Sequence, residues 1–165
     1  MRSQQSAKTS RFKIRHVEMD PLAYMPPFSF TQGLGDYELP ELIVFSLNPD
    51  VSEELLGRVI NQMLEGALVL VDGMAVENAA TVQLKARELD ANLFNSFVVP
   101  SFSPSTKHRI LTKFFQIVLP DKNGRFPGDV GCDTIMNYSQ TIEALLEGAS
   151  DSLPAQGDQG FKIRF

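Results

Sequence analysis

A single cysteine, Cys132, leaves the chain without any internal disulfide. That excludes a disulfide-stapled miniprotein and fits a reducing compartment. Long apolar runs are missing too: none approaches the roughly 18 residues that span a bilayer. The first ten residues, MRSQQSAKTS, have no apolar core of a signal peptide. These absences predict a soluble, cytoplasmic protein without membrane association. Excess positive charge is also lacking. With 15 Lys and Arg against 20 Asp and Glu the net charge is −5, which excludes a general nucleic-acid coat, because phosphate binding needs a basic surface. What is present is 165 residues, 43% hydrophobic and 9% aromatic, enough for one domain with a sizeable core rather than a disordered chain.

The charge is unevenly placed. Residues 1–17 hold five cations and no acid, residues 160–165 add Lys162 and Arg164, and the stretch between them carries all 20 acids, for a charge of −12. Both ends contain the same tetrapeptide, Phe12-Lys13-Ile14-Arg15 and Phe161-Lys162-Ile163-Arg164. Its alternation of apolar and cationic residues has the period of a half-buried strand. One reading is a pair of edge strands whose cations discourage edge-to-edge association. The other makes Arg11, Lys13, Arg15, Lys162 and Arg164 binding arms for an anionic partner. The strands permit a dimer without requiring one. By composition, residues 1–10 form a disordered basic tail, 11–148 a single α+β domain, and 149–165 a linker with a short basic C-terminal strand or tail.

Within that domain, strands are predicted at Phe28–Leu34, Leu42–Leu47, Thr81–Leu89 and Lys113–Leu119, from β-forming residues bounded by Gly and Pro. A helix begins behind Asp50, with Glu53 closing a capping box and Leu55, Leu56, Val59, Ile60, Met63 and Leu64 forming its apolar stripe to Gly66. Gly57 inside it suggests close packing against the sheet. The run Ala67–Val71 suits either a helix extension or a strand. Asn92–Val99 reads as a short helix ended by Pro100. Thr134–Glu147 reads as one helix capped by Asp133. The expected fold class is α+β, a mainly antiparallel meander with two main helices packed on one face.

Two segments resemble a known family. Pro27-Phe28-Ser29-Phe30-Thr31-Gln32-Gly33-Leu34, followed by Leu39-Pro40-Glu41-Leu42, is similar to its opening signature; Gln116-Ile117-Val118-Leu119-Pro120-Asp121-Lys122-Asn123-Gly124-Arg125-Phe126-Pro127 is similar to its second. The family is the bacterial domain of unknown function numbered 4262, and the resemblance covers roughly residues 12–133. The sequence departs from the family pattern at Phe30, where tyrosine is common, and at Gly128, where tryptophan usually follows the proline. The resemblance sharpens fold and boundaries and implies no particular reaction.

The polar groups of the signatures supply the candidate ligand-binding residues, Thr31, Gln32, Glu41, Asp121 and Arg125. Brought together, they would form a mixed-charge pocket in which Arg125 forks onto a carboxylate or phosphate. The alternative is an internal network that fixes turns. Thr31–Gly35 reads as a turn-forming strand end; the alternative is that its glycine spacing lets backbone N–H groups approach an anion, though without the lysine of a phosphate loop or the third glycine and helix of a dinucleotide fingerprint. Asp121-Lys122-Asn123-Gly124 shares part of a calcium-loop pattern but lacks its first acid and closing glutamate, so a turn is predicted and no metal site. His16 and His108 have no ligand-like spacing. Cys132 reads as a small packing residue, the alternative being an unpaired thiol whose pKa is lowered by the nearby helix start. No Gly-x-Ser-x-Gly elbow occurs, and no cofactor is implied.

The leading expectation is a noncatalytic cytoplasmic domain that binds a small anionic ligand or a protein partner. One alternative is a small enzyme using Asp121, Glu41 or His108 as acid and base. Another is an inhibitor or adaptor docking through its basic termini.

Overall fold

A computed structural model describes residues 11–20, 22, 25–98 and 112–148. The readings made for the N-terminal tail, the C-terminal segment, Lys162, Arg164 and His108 lie outside those residues. Six strands form one sheet: β1 (Lys13–Val17), β2 (Phe28–Gln32), β3 (Glu41–Phe45), β4 (Ala75–Val76), β5 (Leu84–Leu89) and β6 (Phe114–Val118), in the order β1-β2-β3-β6-β5-β4. Four neighbouring pairs are antiparallel and one, β3 with β6, is parallel. The sheet is therefore mixed and departs from a plain meander. The reason is visible in β3 (ELIVF) and β6 (FFQIV), which are mainly apolar and, but for Glu41, buried on both sides. Such strands belong at the centre of a sheet, where parallel pairing is tolerated.

Both faces are covered, where one was expected. On one face Leu42, Val44, Phe115 and Ile117 pack with Leu55, Leu56, Val59 and Ile60 of α1 (Pro49–Leu64). On the other, Phe30, Ile43, Phe45 and Phe114 meet Phe94 of α2 (Ala91–Val98) and Ile142 and Leu145 of α4 (Ile142–Gly148). Each fully buried aliphatic or aromatic side chain here contributes on the order of 1.5–3 kcal/mol. No helix among the described residues is long and apolar enough to cross a membrane.

Helix α1 is capped two residues earlier than the sequence suggests. Its cap is Asn48, whose side chain accepts from the Val51 amide at 2.9 Å, and Pro49 occupies the first turn. Proline suits that position because its missing N–H would have no partner there. Asp50 is thus an ordinary first-turn acid. Gly66, at φ +73°, ends the helix, and Leu68 and Leu70 beyond it are buried without forming a named element. A Cβ built on Gly57 would meet nothing within 4 Å, so close packing is not its role. Gly57→Ala is expected to stabilise the protein by about 0.5–1 kcal/mol through helix propensity and a less flexible unfolded chain, readable as a higher urea midpoint with unchanged slope.

The single helix expected over 134–147 is instead two, α3 (Thr134–Ser139) and α4. Asp133 caps α3 as expected, accepting from the amides of Ile135 and Met136. The break falls at Gln140, which is 1% exposed. Its side chain donates to the Phe45 carbonyl at 3.2 Å and accepts from the Leu119 amide at 3.3 Å, while its own carbonyl accepts from Gln116 Nε2 at 2.6 Å. A continuous helix would withhold that carbonyl, so the helix yields to the sheet.

Candidate functional site

The second signature leaves β6 and turns at once. Asp121 is buried, and its Oδ1 accepts from the amides of Asn123 and Arg125 at 2.8 and 2.9 Å, its Oδ2 from the amide of Asp133 at 2.9 Å. The Gly124 amide returns to the Asp121 carbonyl, with Gly124 at φ +77°. The predicted turn is present, although it opens a loop rather than a second strand of a hairpin. The Arg125 amide above all, then those of Asp133 and Asn123, hold the Asp121 carboxyl below its usual 3.8 against the opposing effect of burial. Arg125 is exposed and its guanidinium donates to the Gly131 carbonyl. Of the two readings of Cys132, the lowered thiol pKa is not met. Burial first, and then the charges of Asp121, Asp129 and Asp133, push its thiol above 9.0, the opposite of an activated nucleophile.

The first signature builds a second closed network. Glu41 Oε1 accepts from the amides of Gly33 and Leu34 at 2.8 and 2.9 Å, and Oε2 accepts from the Thr31 hydroxyl at 2.6 Å. Thr31, 1% exposed, in turn accepts from the Leu42 amide. The glycine-spaced N–H groups do face an anion, and that anion is the protein's own Glu41. Gln32 accepts from Arg15 Nε at 3.4 Å.

These two networks do not meet. Glu41 is level with Phe114 across the parallel pair β3–β6, whereas Asp121 lies past the far end of β6. The five candidate residues therefore make two turn-fixing clusters at opposite ends of the sheet, and the single pocket that would join them does not form.

A cleft lies elsewhere. It has a volume of about 390 Å³ and runs along β5 beside the loop after Arg125 and the α3–α4 joint. Lys85 and Arg87, alternate residues of β5, enter it from one wall; Phe126 and Pro127 of the second signature, Asn137 and Glu143 are among its other lining groups. Lys85 Nζ stands 4.5 Å from the centre of the Phe126 ring, a cation–π distance. Arg87 Nη1 donates to Glu143 Oε2 at 3.0 Å and Nη2 donates to Oε1. That forked contact holds the Glu143 carboxyl below its ordinary 4.5, so it is ionised at neutral pH. Asp72, also on the rim, accepts from the Glu88 amide at 2.8 Å. Asp121 does not line the cleft; it seats the loop that carries Phe126 and Pro127.

None of the cleft's charged residues belongs to the sequence-derived set. The signal for Lys85 and Arg87 was present in the alternation of LKAREL, but a sheet covered on one side sends such residues to open solvent. Covering the second face turns them into a wall.

On β1, an edge strand, Lys13 and Arg15 are exposed, and the Arg11 amide donates to the Tyr37 hydroxyl at 3.2 Å. His16 lies 2.8 Å from the Ser29 hydroxyl through Nδ1 and 3.8 Å from Glu53 through Nε2. A serine, a histidine and an acid in line invite a hydrolytic reading, but Ser29 is 1% exposed, so no substrate reaches it. The contact ties β1 to β2 and α1.

A family model for a domain of unknown function, DUF4262, matches residues 6–133, more than half of the chain. The chain belongs to the DUF4262 family. No curated protein and no solved structure matches it. Seen against the DUF4262 match, the cleft is composite: β5, β6 and the Phe126–Gly128 loop fall inside the matched region, and α3 and α4 lie beyond it. The two positions that the resemblance singles out gain a location. Phe30 is fully buried in the core, and Gly128, at φ +90°, is on the cleft lining.

Proposed function

We propose that this chain is a noncatalytic binding domain that holds a small anionic ligand in the cleft along β5. One observation carries the reading: Lys85 and Arg87 project from the same side of β5 into a concave site, and Lys85 has no carboxylate within 4 Å among the described residues, its ammonium resting instead on Phe126. A cation so placed, in a partly water-excluded site, suits an incoming carboxylate or phosphate. The acid–base alternative has less support. Glu41 and Asp121 are engaged by backbone and hydroxyl donors, and Glu143 is committed to Arg87. A cytoplasmic setting suits the free thiol of Cys132.

The test is a thermal-shift and isothermal titration panel of inorganic phosphate and small carboxylates against the full chain. A ligand at a hundred times its Kd stabilises the folded state by about 2.7 kcal/mol, which such a panel resolves. Lys85→Ala is expected to lose that shift at a cost in ligand-free stability of about 1 kcal/mol or less, since the half-buried Lys85 gives up only its contact with Phe126. An equal shift in both proteins, or no shift with any anion, counts against the cleft.

A further inference from the structure

Arg87 already grips a carboxylate. Glu143 reaches it from α4, and the two parallel N–H to oxygen contacts reproduce the forked geometry by which guanidinium groups recognise carboxylates in ligands. The pair is not sealed: the two side chains are 36% and 45% exposed, and both line the cleft. Two residues earlier on the same strand face, Lys85 offers a second cation, about 7 Å away by strand rise.

We infer that Glu143 stands where a ligand's carboxylate belongs, and, on the reading that the cleft binds an anion, that the ligand is a short dicarboxylate, one acid displacing Glu143 from Arg87 and the other meeting Lys85. The charge balance explains the selectivity. A monocarboxylate that evicts Glu143 merely exchanges one carboxylate for another on Arg87. A dicarboxylate keeps that contact and adds one on Lys85. Asp72 lines the same cleft but is not paired with Lys85: its Oδ1 accepts from the Glu88 amide, and it lies beyond 4 Å of the Lys85 ammonium. Glu143 thereby sets the threshold for binding: it keeps the fork occupied until an anion with two points of attachment arrives.

The experiment is calorimetric and chemical-shift titration of the full chain with succinate and glutarate, with acetate and inorganic phosphate as comparisons, for the parent, Glu143→Gln, Arg87→Lys and Lys85→Ala. Removing the competing charge is expected to tighten succinate binding by about two- to fivefold in Glu143→Gln, the range of a partly exposed ion pair. Arg87→Lys, which has no fork, weakens it, and Lys85→Ala reduces succinate to the level of acetate. Should Glu143→Gln lower the melting temperature, Glu143→Ser provides the same comparison. If an anion binds in a Lys85-dependent way but neither Glu143 variant binds succinate more tightly, or if phosphate alone shows that dependence, the inference is overturned and the anion cleft stands. If no anion binds the parent or either Glu143 variant, both fall.

Discussion

Replacing Glu41 with alanine is expected to cost about 3 kcal/mol of stability. The carboxylate accepts from the amides of Gly33 and Leu34 and from the Thr31 hydroxyl, and hydrogen bonds to a charged group are worth about 1.5–3 kcal/mol each, less whatever water restores. Thr31 also receives the Leu42 amide, so the loss propagates into the β2–β3 pair. Glu41→Gln keeps one acceptor oxygen and should fall between parent and alanine. Urea denaturation followed by circular dichroism measures all three. Anion affinity in the β5 cleft should not move, since Glu41 lies at the opposite end of the sheet from the Asp121 loop. A stable Glu41→Ala that has lost an anion would make this cluster a ligand site and overturn its structural reading.

Asp121→Asn is expected to lower both stability and cleft binding, because one side chain seats the loop bearing Phe126 and Pro127. Its pH signature separates this from a general loss of packing. The folded carboxyl titrates below its ordinary 3.8, so the unfolded chain takes up the proton first as the solution is acidified. The stabilisation is complete above pH 3.8 and disappears as pH falls through the folded value. The parent should therefore lose melting temperature more steeply than Asp121→Asn in that acidic window, and the two curves should converge at its lower end. Parallel curves would mean that the charge of Asp121 does nothing for the loop.

Local pattern carried much of the fold. The apolar stripe of α1, the mainly apolar runs of β3 and β6, and the Asp133 cap each follow from neighbours in sequence, and the structure has them where those neighbours point. What local pattern did not carry depends on partners far along the chain. Parallel pairing of β3 with β6 depends on what covers the sheet, and the break at Gln140 exists because Phe45 and Leu119 offer it partners. The cap on α1 is a smaller lapse of the same kind, since Asn48 and Asp50 are both capping residues and only the proline between them decides. Site residues show the same division. The sequence marks Thr31–Gly35 as a turn-forming strand end whose N–H groups could approach an anion, and Asp121–Gly124 as a turn. That the anion would be Glu41, and that Asp121 would be spent on three amides, required the folded backbone.

The cleft's two walls have different pedigrees. One, with Lys85, Arg87, Phe126 and Pro127, lies within residues 6–133, which the family description covers; the other, with Asn137 and Glu143, does not. Relatives that share the first wall and diverge after it would inherit the same cations under different lids. On the proposed anion-binding reading, the wall inside the matched region supplies the cations and the wall beyond residue 133 the choice of ligand, so comparing members beyond that boundary would sort them by specificity.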